Sequence, residues 1–218
     1  LPAGTYTFDA DSWTIPSGEL NATAAIKIDL NKIEELGSLY DDYVLPLRIT
    51  SSTGEPMGQN KYTKVLAHIG FKNDYSGTYS GKGIITQQGT TYTTEITSTQ
   101  LYAINNNICY MFVGEKTRAN TPDYLNYVVE IKRDEWGGIT LSSEVGSLEF
   151  KSYNSKLSRK YTYNYNDQRY YTEITTVELA YEYLDKTQSE DLRMTFEGSF
   201  SMSRDVLRVE YPNVDVEE

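Results

Sequence analysis

Residues with strongly reactive side chains are few in this sequence. The chain has one histidine, His68, and one cysteine, Cys109. A serine or cysteine nucleophile needs a histidine base, and His68 stands in an alternating run with no nucleophile motif beside it. Cys109 lies in an apolar run, which favours a buried structural thiol and offers no disulfide or zinc partner. These two residues therefore predict no catalytic site, no metal site and no cofactor.

The carboxylates leave glycosidase chemistry formally possible, because two carboxyl groups can hydrolyse a glycosidic bond. The adjacent pairs Glu34-Glu35 and Asp41-Asp42 do not form such a dyad, since neighbouring side chains on a helix or strand point in different directions. Asp9-Ala10-Asp11 resembles the start of a calcium loop, but the required glycine and bidentate glutamate do not follow. No carboxylate pair is singled out, and we expect that the protein is not an enzyme.

Aromatic residues carry the clearest functional pattern. The chain contains 20 tyrosines. Sugar rings stack on aromatic faces, while neighbouring amide, carboxylate and guanidinium groups hydrogen-bond the hydroxyls. The run from Tyr161 to Tyr171 concentrates both kinds of group around a predicted turn, and Trp136 stands in another turn beside two glycines. The predicted carbohydrate-binding residues are Trp136, Tyr163, Tyr165, Asp167, Arg169 and Tyr170.

The same aromatic residues also have a structural explanation. Tyr161, Tyr163 and Tyr165 share one strand face at a period of two, so a cross-strand aromatic ladder accounts for them equally well. Trp136 fits a side chain that plugs the end of a barrel. Both explanations stay open at the level of sequence.

Charge and hydropathy exclude several classes of partner. The formal net charge is −11, and the positive residues are scattered singly, which disfavours nucleic acid and anionic lipid surfaces. No run approaches the ~20 apolar residues that span a bilayer, and the first residues lack a basic and apolar leader. A surface rich in tyrosine, threonine, serine and asparagine is typical of exported β proteins.

The first third of the chain predicts a small β domain. Residues 24–30, 43–49 and 63–69 alternate apolar and polar side chains, which predicts three strands. Residues 31–39 predict one or two helical turns capped by Asn31. Pro46 lacks an N–H donor, so its strand should lie at a sheet edge or carry a bulge.

The composition changes after Gly70, and a longer series of strands and turn signals follows. It predicts roughly eight to ten strands joined mostly by hairpins, as in a barrel or sandwich. Residues 177–183 and 193–202 alternate clearly, and the second run should turn Met194, Phe196, Gly198, Phe200 and Met202 inward. We predict an all-β chain: an Ig-like β-sandwich domain over 1–70, a lipocalin-like antiparallel β-barrel or sandwich over 75–211, and an acidic tail over 212–218.

Three motifs in the first domain resemble a known family. Leu1-Pro2-Ala3-Gly4-Thr5-Tyr6, Trp13-Thr14-Ile15-Pro16-Ser17-Gly18 and Tyr43-Val44-Leu45-Pro46-Leu47-Arg48-Ile49 resemble the β-sandwich domain of Bacteroidetes surface lipoproteins. That domain also precedes some family 18 endoglycosidases. The segment from Asn73 to Tyr79 resembles the companion C-terminal β domain of non-enzymatic members.

The resemblance implies a location and a partner rather than a catalytic site. It implies export, a lipid anchor upstream of Leu1 on the outer membrane, a sandwich that lacks its first strands, and proximity to glycan-uptake machinery. The leading hypothesis is a cell-surface accessory lipoprotein that binds a polysaccharide or a glycoprotein glycan. The alternative is a structural or adhesin-like protein that contacts other proteins through β edges. A barrel that holds an apolar ligand ranks last, because Phe196, Phe200 and Met202 would fill it.

Overall fold

The computed structural model describes residues 1–35, 43–53, 59, 63–134, 138–187 and 190–217. The chain divides into two compact units, Leu1–Gly70 and Phe71–Glu218. Strands dominate both units, which confirms the all-β class predicted from the alternation. No helix in these residues is long and apolar enough to cross a membrane.

The first unit contains two small antiparallel sheets. Strand β1 (Tyr6–Phe8) pairs with β2 (Ile26–Ile28), and β3 (Tyr43–Arg48) pairs with β4 (Lys64–Ile69). One short helix, α1 (Leu30–Glu35), follows β2. The buried apolar side chains of the unit come from the helix and from β3: Ile33, Tyr43 and Leu45.

Pro46 has no backbone N–H to donate, and it lies on a strand at the edge of its sheet. It lies opposite Leu66, and within the described residues β3 pairs with β4 alone, so β3 is an edge strand. The edge prediction is confirmed. Glu34, Asp41 and Asp42 have side chains outside the described part of the chain.

The cap of α1 differs from the sequence prediction. The helix begins at Leu30, and the Asp29 carboxylate accepts a hydrogen bond from the backbone N–H of Lys32 at 3.3 Å. Asp29 therefore caps the helix instead of Asn31, which lies inside the first turn. Aspartate is as good a cap as asparagine, so composition alone did not separate the two residues.

The second unit is built on one ten-stranded sheet. Its strands are β5 (Gly77–Gln87), β6 (Thr93–Ala103), β7 (Ile108–Phe112), β8 (Val128–Arg133), β9 (Ile139–Ser142), β10 (Lys151–Ser152), β11 (Lys156–Tyr163), β12 (Tyr170–Asp185), β13 (Leu192–Leu207) and β14 (Val216–Glu217). Their order in the sheet is β14-β11-β12-β13-β5-β6-β7-β8-β9, with β10 paired to β12. All pairs are antiparallel except β11 with β14. The acidic segment 212–218 thus contains β14, whose Val216 lies opposite Tyr161.

The sheet curls around a single apolar core. Side chains from both ends of the strand order, such as Val177 on β12 and Leu141 on β9, belong to the same buried cluster. Strand β9 also lies beside β10. Phe196 and Phe200 are buried and Met202 packs against the cluster, so the inward face predicted for β13 is confirmed.

Two glycines face each other beneath the aromatic part of this core. Gly198 on β13 lies opposite Gly83 on β5. The rings of Phe196 and Phe200 stack with centroids 6.1 Å apart, and a Cβ atom on Gly83 would lie 2.7 Å from Phe196 and 2.8 Å from Phe200. The aromatic rings cover the backbone where the glycines leave room for them.

Candidate functional site

The predicted aromatic turn joins β11 to β12. Tyr163 lies opposite Tyr171 at the end of the hairpin. The side-chain oxygen of Asn164 accepts hydrogen bonds from the backbone N–H groups of Asn166 at 2.9 Å and Asp167 at 3.1 Å. This Asx arrangement is a local reason for the chain to turn here, and it fixes the shape of the loop.

An ion pair closes the far side of the turn. The Arg169 guanidinium binds the Asp167 carboxylate through two nitrogens, at 3.0 Å from Nε and 2.6 Å from Nη2. The hydrogen bond from Arg169 holds the pKa of Asp167 at about 2. The guanidinium also lies 5.6 Å from the centre of the Tyr170 ring. Three of the predicted binding residues are thus gathered at one place.

Tyr163 takes part in a cross-strand aromatic pair. Its ring centroid is 5.9 Å from that of Tyr171, and the guanidinium of Arg208 lies 5.1 Å from the first ring and 4.8 Å from the second. Arg208 is held by a hydrogen bond from its Nε to the Tyr170 carbonyl at 3.0 Å. The ladder explanation therefore applies to Tyr163, one edge of which remains exposed.

Tyr161 faces a different environment. Its hydroxyl donates to Glu173 at 3.0 Å, and its ring lies 5.8 Å from Tyr211. The residue opposite Tyr161 on β12 is Glu173 rather than an aromatic residue, so the cross-strand ladder does not extend to Tyr161.

Tyr165 is the exposed ring of the turn. Its side chain is 85% exposed, against 40% for Tyr163. Strand β11 ends at Tyr163, so Tyr165 is no longer part of the ladder that the period of two suggested. We call the group Tyr163, Tyr165, Asp167, Arg169, Tyr170 and Arg208 the tyrosine surface.

The tyrosine surface has the chemistry of a sugar platform. Tyr165 offers an exposed ring, and the Asp167–Arg169 pair on the same turn offers both hydrogen-bond donors and acceptors. All of its members except Arg208 were predicted from the sequence as binding residues. Arg208 directly follows β13 and reaches the turn through the pairing of Tyr170 with Leu207. Trp136, also predicted to bind carbohydrate, lies outside the described residues.

The histidine and the cysteine of the chain are not members of this surface. His68 is exposed on β4. Cys109 is fully buried, and burial raises the pKa of its thiol to about 12 although Asn73 hydrogen-bonds the sulfur. A thiol that stays protonated is a poor nucleophile. In the ranges that the structure covers, no three metal-ligating side chains come together.

Family comparisons agree with the two-unit architecture. A family model of a C-terminal domain matches residues 63–201, and a model of an N-terminal domain matches residues 1–56. The chain belongs to this two-domain family. No curated protein matches the sequence.

Solved structures from Bacteroides share the fold. A protein of unknown function from Bacteroides ovatus superposes with a TM-score of 0.80 at 19% identity, covering 99% of this chain and 74% of that one. A multidomain protein including DUF1735, from the same species, gives a TM-score of 0.78 at 17% identity, covering 99% and 75%. An auxiliary nutrient binding protein from Bacteroides thetaiotaomicron gives 0.68 at 17% identity, covering 85% of this chain and 63% of that one. At these identities the likeness shows the fold.

Proposed function

We propose that this protein is an exported, lipid-anchored accessory protein of the cell surface that binds glycans through its tyrosine surface. Three things support the proposal: the family membership, the fold shared with an auxiliary nutrient binding protein, and the resemblance of the first domain to surface lipoproteins. The proposed binding needs only ring stacking and hydrogen bonds, and it needs no catalytic group.

The exposure of Tyr165 carries the proposal. A large ring that is 85% exposed adds little to the stability of the fold, because it is hardly buried. The ring stands on a turn whose shape is set by Asn164 and by the Asp167–Arg169 pair. A ring on a fixed turn loses little conformational freedom when a ligand stacks on it. The Asp167–Arg169 pair on the same turn can exchange hydrogen bonds with sugar hydroxyls.

Affinity electrophoresis through gels that contain yeast mannan, starch, xylan or xyloglucan tests this function. We expect at least one polysaccharide to retard the protein, and Tyr165→Ala to weaken that retention at least about fivefold, as expected for a central aromatic contact. Tyr165→Phe keeps the ring and should keep the retention. Tyr153→Ala removes a different exposed tyrosine and serves as the matched control.

Two results would count against the proposal. One is migration unaffected by every polysaccharide and by glycoprotein glycans. The other is retention that Tyr165→Ala leaves unchanged.

A protein-contact function is the second candidate, and the β3–β4 sheet favours it. Leu66 is 72% exposed, and Val44 and Pro46 lie exposed on the same two-stranded sheet, which has unpaired edges among the described residues. Exposed apolar edges are surfaces on which chains associate. Light scattering over a dilution series should then show self-association that Leu66→Lys abolishes, whereas a monomer at every concentration argues against it.

A further inference from the structure

A cleft of about 360 Å³ opens within the second unit, where the β5–β6 hairpin, the β7–β8 loop and the start of β13 meet. Its volume lies at the small end of the ~300–1,000 Å³ typical of ligand sites. Its lining combines apolar side chains, among them Ile85, Leu192 and Met194, with polar ones from five segments of the chain. None of the tyrosine surface lines it.

The floor of the cleft holds a tyrosine hydroxyl without a hydrogen bond to another described residue. Tyr183 as a whole is only 1% exposed and lines the cleft, but its Oη is not among the fully buried side-chain atoms that lack a partner, so the oxygen reaches the solvent of the cleft. Tyr181, two residues earlier on β12, contrasts with it, since its Oη accepts the backbone N–H of Gly114 at 2.9 Å. The Tyr183 hydroxyl therefore has hydrogen-bonding capacity that is open to water or to a ligand in the cleft.

One wall of the cleft is a nearly buried ion pair. Lys116 Nζ lies 2.7 Å from the Asp185 carboxylate, with side chains 12% and 10% exposed. Thr187 Oγ1 donates to the same carboxylate at 2.6 Å and accepts from Lys116 at 3.0 Å. These bonds fix both charged groups, so the wall presents oriented donors and acceptors without a net charge.

The rim adds an aromatic ring and two carboxylates. Tyr92 is 59% exposed, and its hydroxyl accepts a hydrogen bond from Thr94 at 3.1 Å. Glu115 and Glu190 are exposed at the mouth. Two carboxylates on a chain of net charge −11 disfavour an anionic ligand, and the Lys116–Asp185 pair adds no net charge to the lining.

We propose that this cleft is a second binding site, for a single uncharged sugar unit. A sugar ring has an apolar C–H face for Tyr92 and for the aliphatic lining, and it has hydroxyls for Tyr183 and the Lys116–Asp185 pair. The choice of ligand class rests in part on the carbohydrate function proposed above. The site itself shares no residue with the tyrosine surface, so each can fail without the other.

The test is a titration of the ¹⁵N-labelled full chain, followed by NMR, with methyl α-D-mannopyranoside, methyl β-D-galactopyranoside and N-acetyl-D-glucosamine. Sodium D-glucuronate is the anionic comparison. At least one neutral sugar should shift backbone amides of the cleft at millimolar concentration. Tyr183→Phe, which removes one oxygen atom, should weaken that binding about fivefold.

Tyr181→Phe is the matched control, because it makes the same change on the same strand away from the lining. It should keep the sugar affinity but lower the melting temperature, since it breaks the bond to Gly114. Tyr183→Phe should not lower the melting temperature, because its hydroxyl has no bond to lose. Tyr165→Ala should leave the cleft affinity unchanged.

Three outcomes overturn the proposal. They are the absence of cleft shifts with every neutral sugar, sugar affinity that Tyr183→Phe leaves at the wild-type value, and glucuronate binding as tight as that of the neutral sugars. Polysaccharide retention in gels is read separately and bears only on the tyrosine surface.

Discussion

Among the described residues of the second unit, Glu173 is the most deeply buried charged side chain. It is 0% exposed, and its carboxylate binds Arg204 Nε at 2.7 Å, Arg159 Nη1 at 3.5 Å and the Tyr161 hydroxyl at 3.0 Å. Asp74 faces the same two arginines at 3.6 and 3.7 Å. The fold can bury this carboxylate because two cations and a hydroxyl surround it.

Replacing Glu173 should therefore be costly. Glu173→Gln leaves the two guanidinium groups facing a neutral amide, and we expect the free energy of unfolding to fall by about 3 kcal/mol. Glu178→Gln, on the same strand, removes an exposed pair with Lys156 and should cost under about 1 kcal/mol. Urea unfolding of both variants measures the contrast, and equal losses would contradict this account of the buried network.

Residue roles at the aromatic turn were only partly predictable. The period of two placed Tyr161, Tyr163 and Tyr165 on one face. Their separate environments arise from partners distant in sequence, such as Glu173 and Arg208, and from the end of β11 at Tyr163. A single sequence contains no signal for such long-range contacts.

The strands themselves followed closely from the alternation of side chains. The inward face of β13 and the edge position of Pro46 were both predicted, because burial of one face and the missing donor of proline act locally. The cap of α1 was misplaced, since Asp29 and Asn31 compete within one turn and the contact that decides between them is a single hydrogen bond. Pairs such as Gly83 with Gly198 depend on strand register and were not predicted.

The Gly83–Gly198 pair predicts how much stability is lost when a side chain is added between the two strands. A Cβ on Gly198 would lie 2.6 Å from Phe200 and 2.8 Å from the Gly83 Cα. Gly198→Ala should then cost about 2 kcal/mol through overpacking. Gly146→Ala is the control, because no atom lies within 4 Å of its added Cβ, and it should stay within about 0.5 kcal/mol of wild type. If thermal unfolding shows a larger loss of stability for Gly146→Ala than for Gly198→Ala, the space around Gly198 is not crowded as described.

Across the whole molecule, the two units differ in the structural features that they contain. The first contains small sheets and an exposed β3–β4 surface, whereas the second contains the large core, the tyrosine surface and the cleft. The fold class followed from alternation along the whole chain. The strand order and the curl of the ten-stranded sheet did not, because they depend on which strands pair across long separations.

We expect the protein to bind glycans by stacking them on Tyr165. A glycan array probed in parallel with the wild-type chain and with Tyr165→Ala measures this binding. The wild type should bind a defined subset of glycans, and the variant should lose that subset while remaining folded. An array on which the wild type binds nothing, or on which both proteins give the same pattern, would show that Tyr165 does not form a glycan site.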